Sequence, residues 1–371
     1  VQEALEPIAG DTYMMDAARR LTAAMLDRGI KPALPSALLK YRNTELMRDV
    51  VNNAMDVVAG RGVIVGPRNF LARVYQSLPI SITVEGANIL TRSLMVFGQG
   101  AIRCHPYLVQ EIEAASANPS ADAVKQFDQA FFGHLGHAFS NVLRSLGLAL
   151  SLGYLSRTPN QGQLQPYYRR LNRFSAALAL LTDVSLAVIG GKLKARERLS
   201  GRMADSLVSL YYASATLKYF HDNGYPEEER VLVDWAMKRC LYDVQRAMND
   251  VIANYPVPWL RPLLRVLVFP LGLRLAPPGD LLGQQVSQTI TQPGVVRDTL
   301  TRGIYLNLDP EDAVGRVLNA FKLQTETAHL QEKLHRAVRE SDQTETIKDL
   351  EMLLEKQRDK KLQWAEENGV L

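Results

Sequence analysis

Apolar residues recur along almost the whole chain at the three- and four-residue spacing of helices. Over 11–28, Tyr13, Ala17, Leu21, Ala24 and Met25 fall on one side, while Arg19, Arg20 and Asp27 lie largely elsewhere. Gly29 and the Lys31–Pro35 turn stop that run, and a second helix is predicted over 36–58, closed by Gly60 and Gly62. The stretch 63–83 carries Gly66, Pro67 and Pro79 and predicts irregular chain; a third helix is predicted to open near Glu85-Gly86-Ala87-Asn88 and run through Phe97. Ala115–Ser120 reads as a linker, after which long helical segments follow at 121–156, 165–193, 202–222, 227–254 and 280–292. The charged tail from Asp312 to Glu367 divides near Ser341–Gln343; its end, with Leu350, Leu353, Leu354 and Leu362, predicts an amphipathic helix with a solvated face. No long window alternates as a strand would, and no short-period repeat is visible. The pattern predicts an all-α fold in at least two parts.

Composition narrows the class. Apolar residues make up 47% of 371 and charged residues 22%, which are globular proportions. The net charge of +4 is too small to argue for nucleic acid. Two cysteines, Cys104 and Cys240, cannot build a disulfide framework, which favours a reducing compartment. The chain opens Val1-Gln2-Glu3, with no initiator Met and no signal-like segment, so it reads as processed or as part of something longer.

Several segments invite chemistry. The stretch 256–278 mixes Trp259, Phe269 and many leucines with Arg261, Arg265 and Arg274 and holds no acid. Pro262, Pro270 and the arginines speak against a membrane span; apolar groups entering a headgroup boundary while Arg tips meet phosphates fit better, against the alternative of a kinked core segment. Phe174–Gly191 approaches spanning length, yet Asp183 within it favours a buried bundle helix. Gly190-Gly191-Lys192 lacks the spacing of a phosphate loop. His134 and His137 share a helix face, but zinc needs further ligands and none lies nearby in sequence, so no metal is predicted. Cys104-His105 has no identifiable third group.

Glu85 is the remaining candidate. Its preceding neighbours are apolar or small, and a carboxylate in such surroundings has the raised pKa that suits a general base. Gly86 would let a substrate approach the backbone. The competing reading is a charge placed at a helix start by the macrodipole.

Val84-Glu85-Gly86-Ala87-Asn88, about two dozen residues after Val57-Val58-Ala59-Gly60-Arg61-Gly62, resembles the C-terminal helical domain of acyl-CoA dehydrogenases. The block from Ala72 to Pro106 is similar to the bacterial FadE-type enzymes, and the resemblance continues through Gly191–Arg202 into their C-terminal extension. It implies a helical bundle over 1–102 and a helical extension over 103–371. It implies Glu85 as the base that takes the α-proton of a medium- to long-chain fatty acyl-CoA, with FAD receiving the β-hydride and trans-2-enoyl-CoA as product. It also implies cofactor contacts at Gly60, Ala87 and Asn88, and substrate contacts at Val84 and Gly86. Departures are visible: of the family's Gln-x-x-Gly-Gly only Gly60 remains, Ala87 stands where Thr is common, and Val84 where an aromatic is usual. An electron-transfer flavoprotein as acceptor, a homo-oligomer and a cytoplasmic location peripheral to the inner membrane are further expectations. Because the family's N-terminal and β-domains are not in this sequence, the chain alone is expected to be inactive. The alternative is a non-catalytic helical module for membrane attachment or oligomerisation.

Overall fold

The computed structural model describes residues 1–159, 162–309 and 311–339, with 348, 351–356, 358–360 and 363. Among them every regular element is helical. The chain runs through α1 (Gln2–Asp27), α2 (Ala33–Val58), α3 (Ala72–Thr83), α4 (88–104), α5 (Leu108–Ser116), α6 (Ala121–Leu150) and α7 (Gln165–Ile189). It continues through α8 (Glu197–Asp222), α9 (Arg230–Ala253), α10 (Leu260–Val268), α11 (Asp280–Thr291), α12 (Val295–Thr301) and α13 (Ala313–Arg339). The tail division at Ser341–Gln343 lies outside the described residues, as does part of the amphipathic end, including Leu350 and Leu362.

One predicted boundary is corrected. The stretch 63–83 is not irregular throughout, because its second half is α3, with Pro79 inside it. Asn69 supplies what the prolines obscure: its Oδ1 accepts from the N–H groups of Leu71 and Ala72, both at 2.9 Å. Its Nδ2 donates to the carbonyls of Arg61, Gly62 and Ile64, so one side chain knits the preceding loop to the helix start. The next helix opens at Asn88, at the end of its predicted 85–88 start, with Glu85 in the turn before it.

One core crosses the 102/103 boundary. Ala17, Leu46 and Phe97 pack in the same buried cluster as Met203, Ala213 and Val244. Gly10 of α1 lets Trp235 of α9 lie flat on its backbone, since a Cβ there would stand 2.1 Å from the indole. The indole Nε1 donates to Glu6 at 2.8 Å, and Tyr13 donates to the buried Glu229 at 2.8 Å. Each such large side chain contributes about 1.5–3 kcal/mol of burial, so this close approach adds to the stability of the α1–α9 contact.

Asp11 opposes it. It is 1% exposed, its Oδ1 has no hydrogen-bond partner among the described residues, and burial outweighs Arg239 and Arg42 to push its pKa up to about 6. A carboxyl with a raised folded-state pKa favours the fold when protonated, so its contribution is lost as pH rises from about 4 through about 6. Asp11→Asn should therefore gain roughly 2–3 kcal/mol at pH 8 and nothing at pH 3.5, read from urea unfolding at both pH values.

Candidate functional site

α3 ends at Thr83, Val84 is extended, and the next two residues are both left-handed: Glu85 at φ 57° and Gly86 at φ 93°. Only glycine takes the second position freely, and a side chain at the first costs about 1–2 kcal/mol. The strain is held in place from α2. Lys40 Nζ donates to the Gly86 carbonyl at 2.7 Å and to Asn88 Oδ1 at 2.6 Å, and Thr91 Oγ1 donates to the same carbonyl at 3.2 Å. Asn88 Nδ2 donates to Thr44 Oγ1 and Glu45 Oε1, both at 2.8 Å. Beyond the turn, Thr91–Gln99 winds as a π-helix, a form that concentrates at functional positions.

Glu85 itself is exposed and makes no hydrogen bond or ion pair among the described residues. The apolar pocket expected around it is thus not formed among the described residues; instead Val84, Ile89, Leu90 and Met95 are exposed apolar side chains near the turn. The backbone N–H groups of Glu85, Gly86 and Ala87 find no acceptor among the described residues, so three donors are left unpaired in the same turn as the carboxylate. Successive free N–H groups within a turn can form an anion-holding concavity.

The other predicted site residues fall into two groups. Ala87 and Gly60 are exposed, and Gly60 has open space where a side chain would stand. Asn88 is 5% exposed with its amide fully engaged by α2, so its side chain is a brace for the turn and is not free to touch a flavin. Lys40 was not legible as part of this site, because its role depends on α2 crossing the turn.

A second polar constellation joins residues far apart in sequence. His105 Nδ1 accepts from the N–H groups of Tyr107 and Leu108 at 3.3 and 3.1 Å, which caps α5 and places the ring proton on Nε2. Nε2 then donates to Asp183 at 3.2 Å, and Asn141 donates to the other carboxylate oxygen at 2.9 Å. Burial raises the Asp183 pKa, but these bonds outweigh it and hold the group below the ordinary range. His134 pairs with Glu111 at 2.8 Å. His105, His134 and Asp183 offer atoms within 4.8 Å of one another. Both nitrogens of His105 are nevertheless committed, leaving no lone pair for a metal and no base for Cys104. Asp183 also explains α7: that helix is long and apolar enough to cross a membrane, yet Asp183 is bonded inside the bundle and Leu180 and Leu181 are core residues.

The 256–278 stretch divides. Phe269 is 2% exposed and belongs to the core, against its expected place at a surface. It sits among Leu260, Leu264 and Val268, and the buried Arg173 donates to the Val268 carbonyl, seating the end of α10. Arg261 bonds the Tyr255 carbonyl through Nε at 2.9 Å, Arg265 is half-buried and Arg274 is exposed. Trp259, Leu263 and Val266 share one exposed face of α10, at 71%, 49% and 55% exposure. Phe132, Leu135, Phe139 and Leu143 form a second exposed apolar stripe along α6, which packs beside α10 through Ser145 Oγ bonded to the Leu267 carbonyl at 3.0 Å. The α6 stripe has the spacing of an ordinary core seam, so only packing reveals that it is uncovered.

The family model for the bacterial-type C-terminal region of acyl-CoA dehydrogenase matches residues 102–370. Among solved structures, a crystal structure of an acyl-CoA dehydrogenase complexed with FAD from Bacillus anthracis is similar to 80% of this chain, with a TM-score of 0.58 and 15% identity. The chain spans about half of that structure's length, 48%. At that identity the likeness speaks for the helical fold alone. The family match covers most of the chain, and on it the protein belongs to the bacterial-type acyl-CoA dehydrogenase C-terminal family.

Proposed function

We propose that this chain supplies the base-bearing helical portion of an FAD-dependent acyl-CoA dehydrogenase, acting on medium- to long-chain fatty acyl-CoA in the first step of β-oxidation. The observation that carries the reading is the braced Glu85–Gly86 turn, which presents an unpaired carboxylate beside three unpaired N–H groups. In this reading Glu85 takes the α-proton of the thioester. The adjoining N–H groups stabilise the charge that develops on the thioester oxygen, a task best done by donors already fixed in place. Val84 and Gly86 border the acyl group. Gly60, with its open approach, and Ala87 fit a flavin edge, and the exposed apolar side chains near the turn suit a planar ring. When bound, FAD supplies an acceptor for the β-hydrogen as hydride.

Within this chain Glu85 faces solvent, so the chain alone is expected not to turn over acyl-CoA; flavin-coupled oxidation of palmitoyl-CoA by the 371-residue polypeptide would contradict this. The reading is tested in the full-length protein by α-hydrogen exchange of palmitoyl-CoA in D2O. Exchange is expected with FAD bound, and its absence, together with absent enoyl-CoA formation, would overturn the assignment. The remaining proposals are an electron-transfer flavoprotein as electron acceptor and assembly as a homo-oligomer.

A cytoplasmic location at the inner membrane surface is supported by the exposed α10 face and the neighbouring α6 stripe. Trp259→Ala combined with Arg265→Glu is expected to lower cosedimentation with anionic liposomes several-fold, through lost interfacial burial and lost charge attraction. Equal binding by the double variant would remove the membrane from the proposal.

A further inference from the structure

We propose that an arginine-lined groove centred on Arg202 binds a small anion with two linked phosphoryl groups. The groove consists of two cavities, of about 380 and 410 Å³, that share Arg202 in their walls. The first is enclosed by α2, α4, α8 and α9, and the second by the start of α8 and the turn after α9. Together they are lined by seven arginines against four carboxylates.

The pairing inside the groove leaves that excess on particular side chains. Arg92 is held by both oxygens of Asp205, and Tyr41 also donates to Asp205 at 3.1 Å, so this cation is neutralised and fixed. Gly201 makes that possible, because a Cβ there would stand 2.7 Å from the Arg92 guanidinium. Arg42 and Arg239 share the single carboxylate of Asp243, at 3.8 and 3.1 Å. Arg202 and Arg246 form no ion pair among the described residues, and the same holds for Arg196 and Arg198 in the second cavity.

A further source of positive potential lies at the second cavity. α8 begins there, 26 residues long, with Arg196 at its cap and no side chain accepting from its first N–H groups. Helix N-termini of this kind favour phosphate oxygens. Guanidinium groups add planar, paired donors that match phosphate geometry. A single phosphate would occupy one lobe. A phosphoanhydride places one phosphoryl group on each side of Arg202, so that the shared arginine bridges both. The chemistry is common to free pyrophosphate and to the diphosphate of a nucleotide.

The test is calorimetric titration of the full-length, FAD-loaded protein in about 0.15 M salt, where weak surface attraction is screened. Pyrophosphate is expected to bind about tenfold or more tightly than orthophosphate or sulfate, the ratio that separates one added charge-assisted contact from general attraction. Arg202→Gln is expected to remove that advantage, while Arg246→Gln weakens pyrophosphate binding and leaves part of it. ADP binding at least as tightly as pyrophosphate assigns the groove to nucleotides; weaker ADP binding assigns it to the inorganic anion. A retained flavin spectrum reports that each variant is folded. Equal affinity for pyrophosphate and sulfate, or unchanged pyrophosphate binding by folded Arg202→Gln, would overturn the proposal.

Discussion

Glu85→Gln in the full-length protein is expected to lower the rate of acyl-CoA oxidation by about 10²–10⁴-fold while the protein keeps its yellow flavin. The substitution is nearly isosteric, so the left-handed backbone at φ 57° and the three unpaired N–H groups survive it. What disappears is the one group at the turn able to accept a proton. α-Hydrogen exchange should fall in step with turnover, since both require the same proton transfer. Glu85→Gly separates function from stability in a second way. It too removes the base, but it also relieves the strain of a side chain in left-handed backbone, partly offset by greater freedom when unfolded. Activity should vanish while unfolding free energy stays level or rises by up to about 1 kcal/mol. Unchanged turnover by Glu85→Gln would leave Glu85 as a surface charge.

Lys40→Met carries the next largest effect. Its ammonium is the strongest donor to the Gly86 carbonyl and the partner of Asn88 Oδ1. Methionine fills similar space but donates nothing, leaving the buried Asn88 oxygen unsatisfied at about 1–3 kcal/mol. The Gly86 carbonyl then keeps only Thr91, at 3.2 Å. A turn that is strained and released on one side drifts, and a displacement near 1 Å of a reacting group costs roughly 10²-fold in rate. Lys40 is thus a positioning residue for Glu85. The expected signature is a fall in kcat larger than any rise in KM, with partial recovery in Lys40→Arg. A variant that loses only thermal stability, with kcat unchanged, would reduce Lys40 to an ordinary structural contact.

The helices were legible because their apolar spacing is long and regular, and α2, α7 and α9 fall close to where that spacing puts them. α3 was not, because Pro67 and Pro79 outweigh its pattern, whereas Asn69 reaches both ways to start it. Glu85 was visible through its Gly86 neighbour and its wider motif. Its setting was not: exposure, the left-handed turn and the grip of Lys40 all depend on how α2 crosses residues 85–88. Phe269 and Phe139 show the same limit in opposite directions. One sits in an arginine-rich stretch and is buried; the other sits in a regular helix and is exposed at 66%. Sequence spacing defines which residues share a face, and only packing decides whether that face is covered.

The seam between Gly10 and Trp235 sets a timetable for synthesis. Residues that close onto each other in the finished fold are separated by 229 positions at the Trp235–Glu6 bond and 216 at the Tyr13–Glu229 bond. At about 5–20 residues per second, α1 waits roughly 10–45 s before Glu229 and Trp235 are translated. During that interval Gly10, Tyr13 and Met14 lack Trp235, Glu229 and Cys240, the partners they meet in the finished fold. This makes α1 a segment on which a holding chaperone has a long opportunity to act, since its contacts with Glu229 and Trp235 wait for residues more than two hundred positions downstream of it.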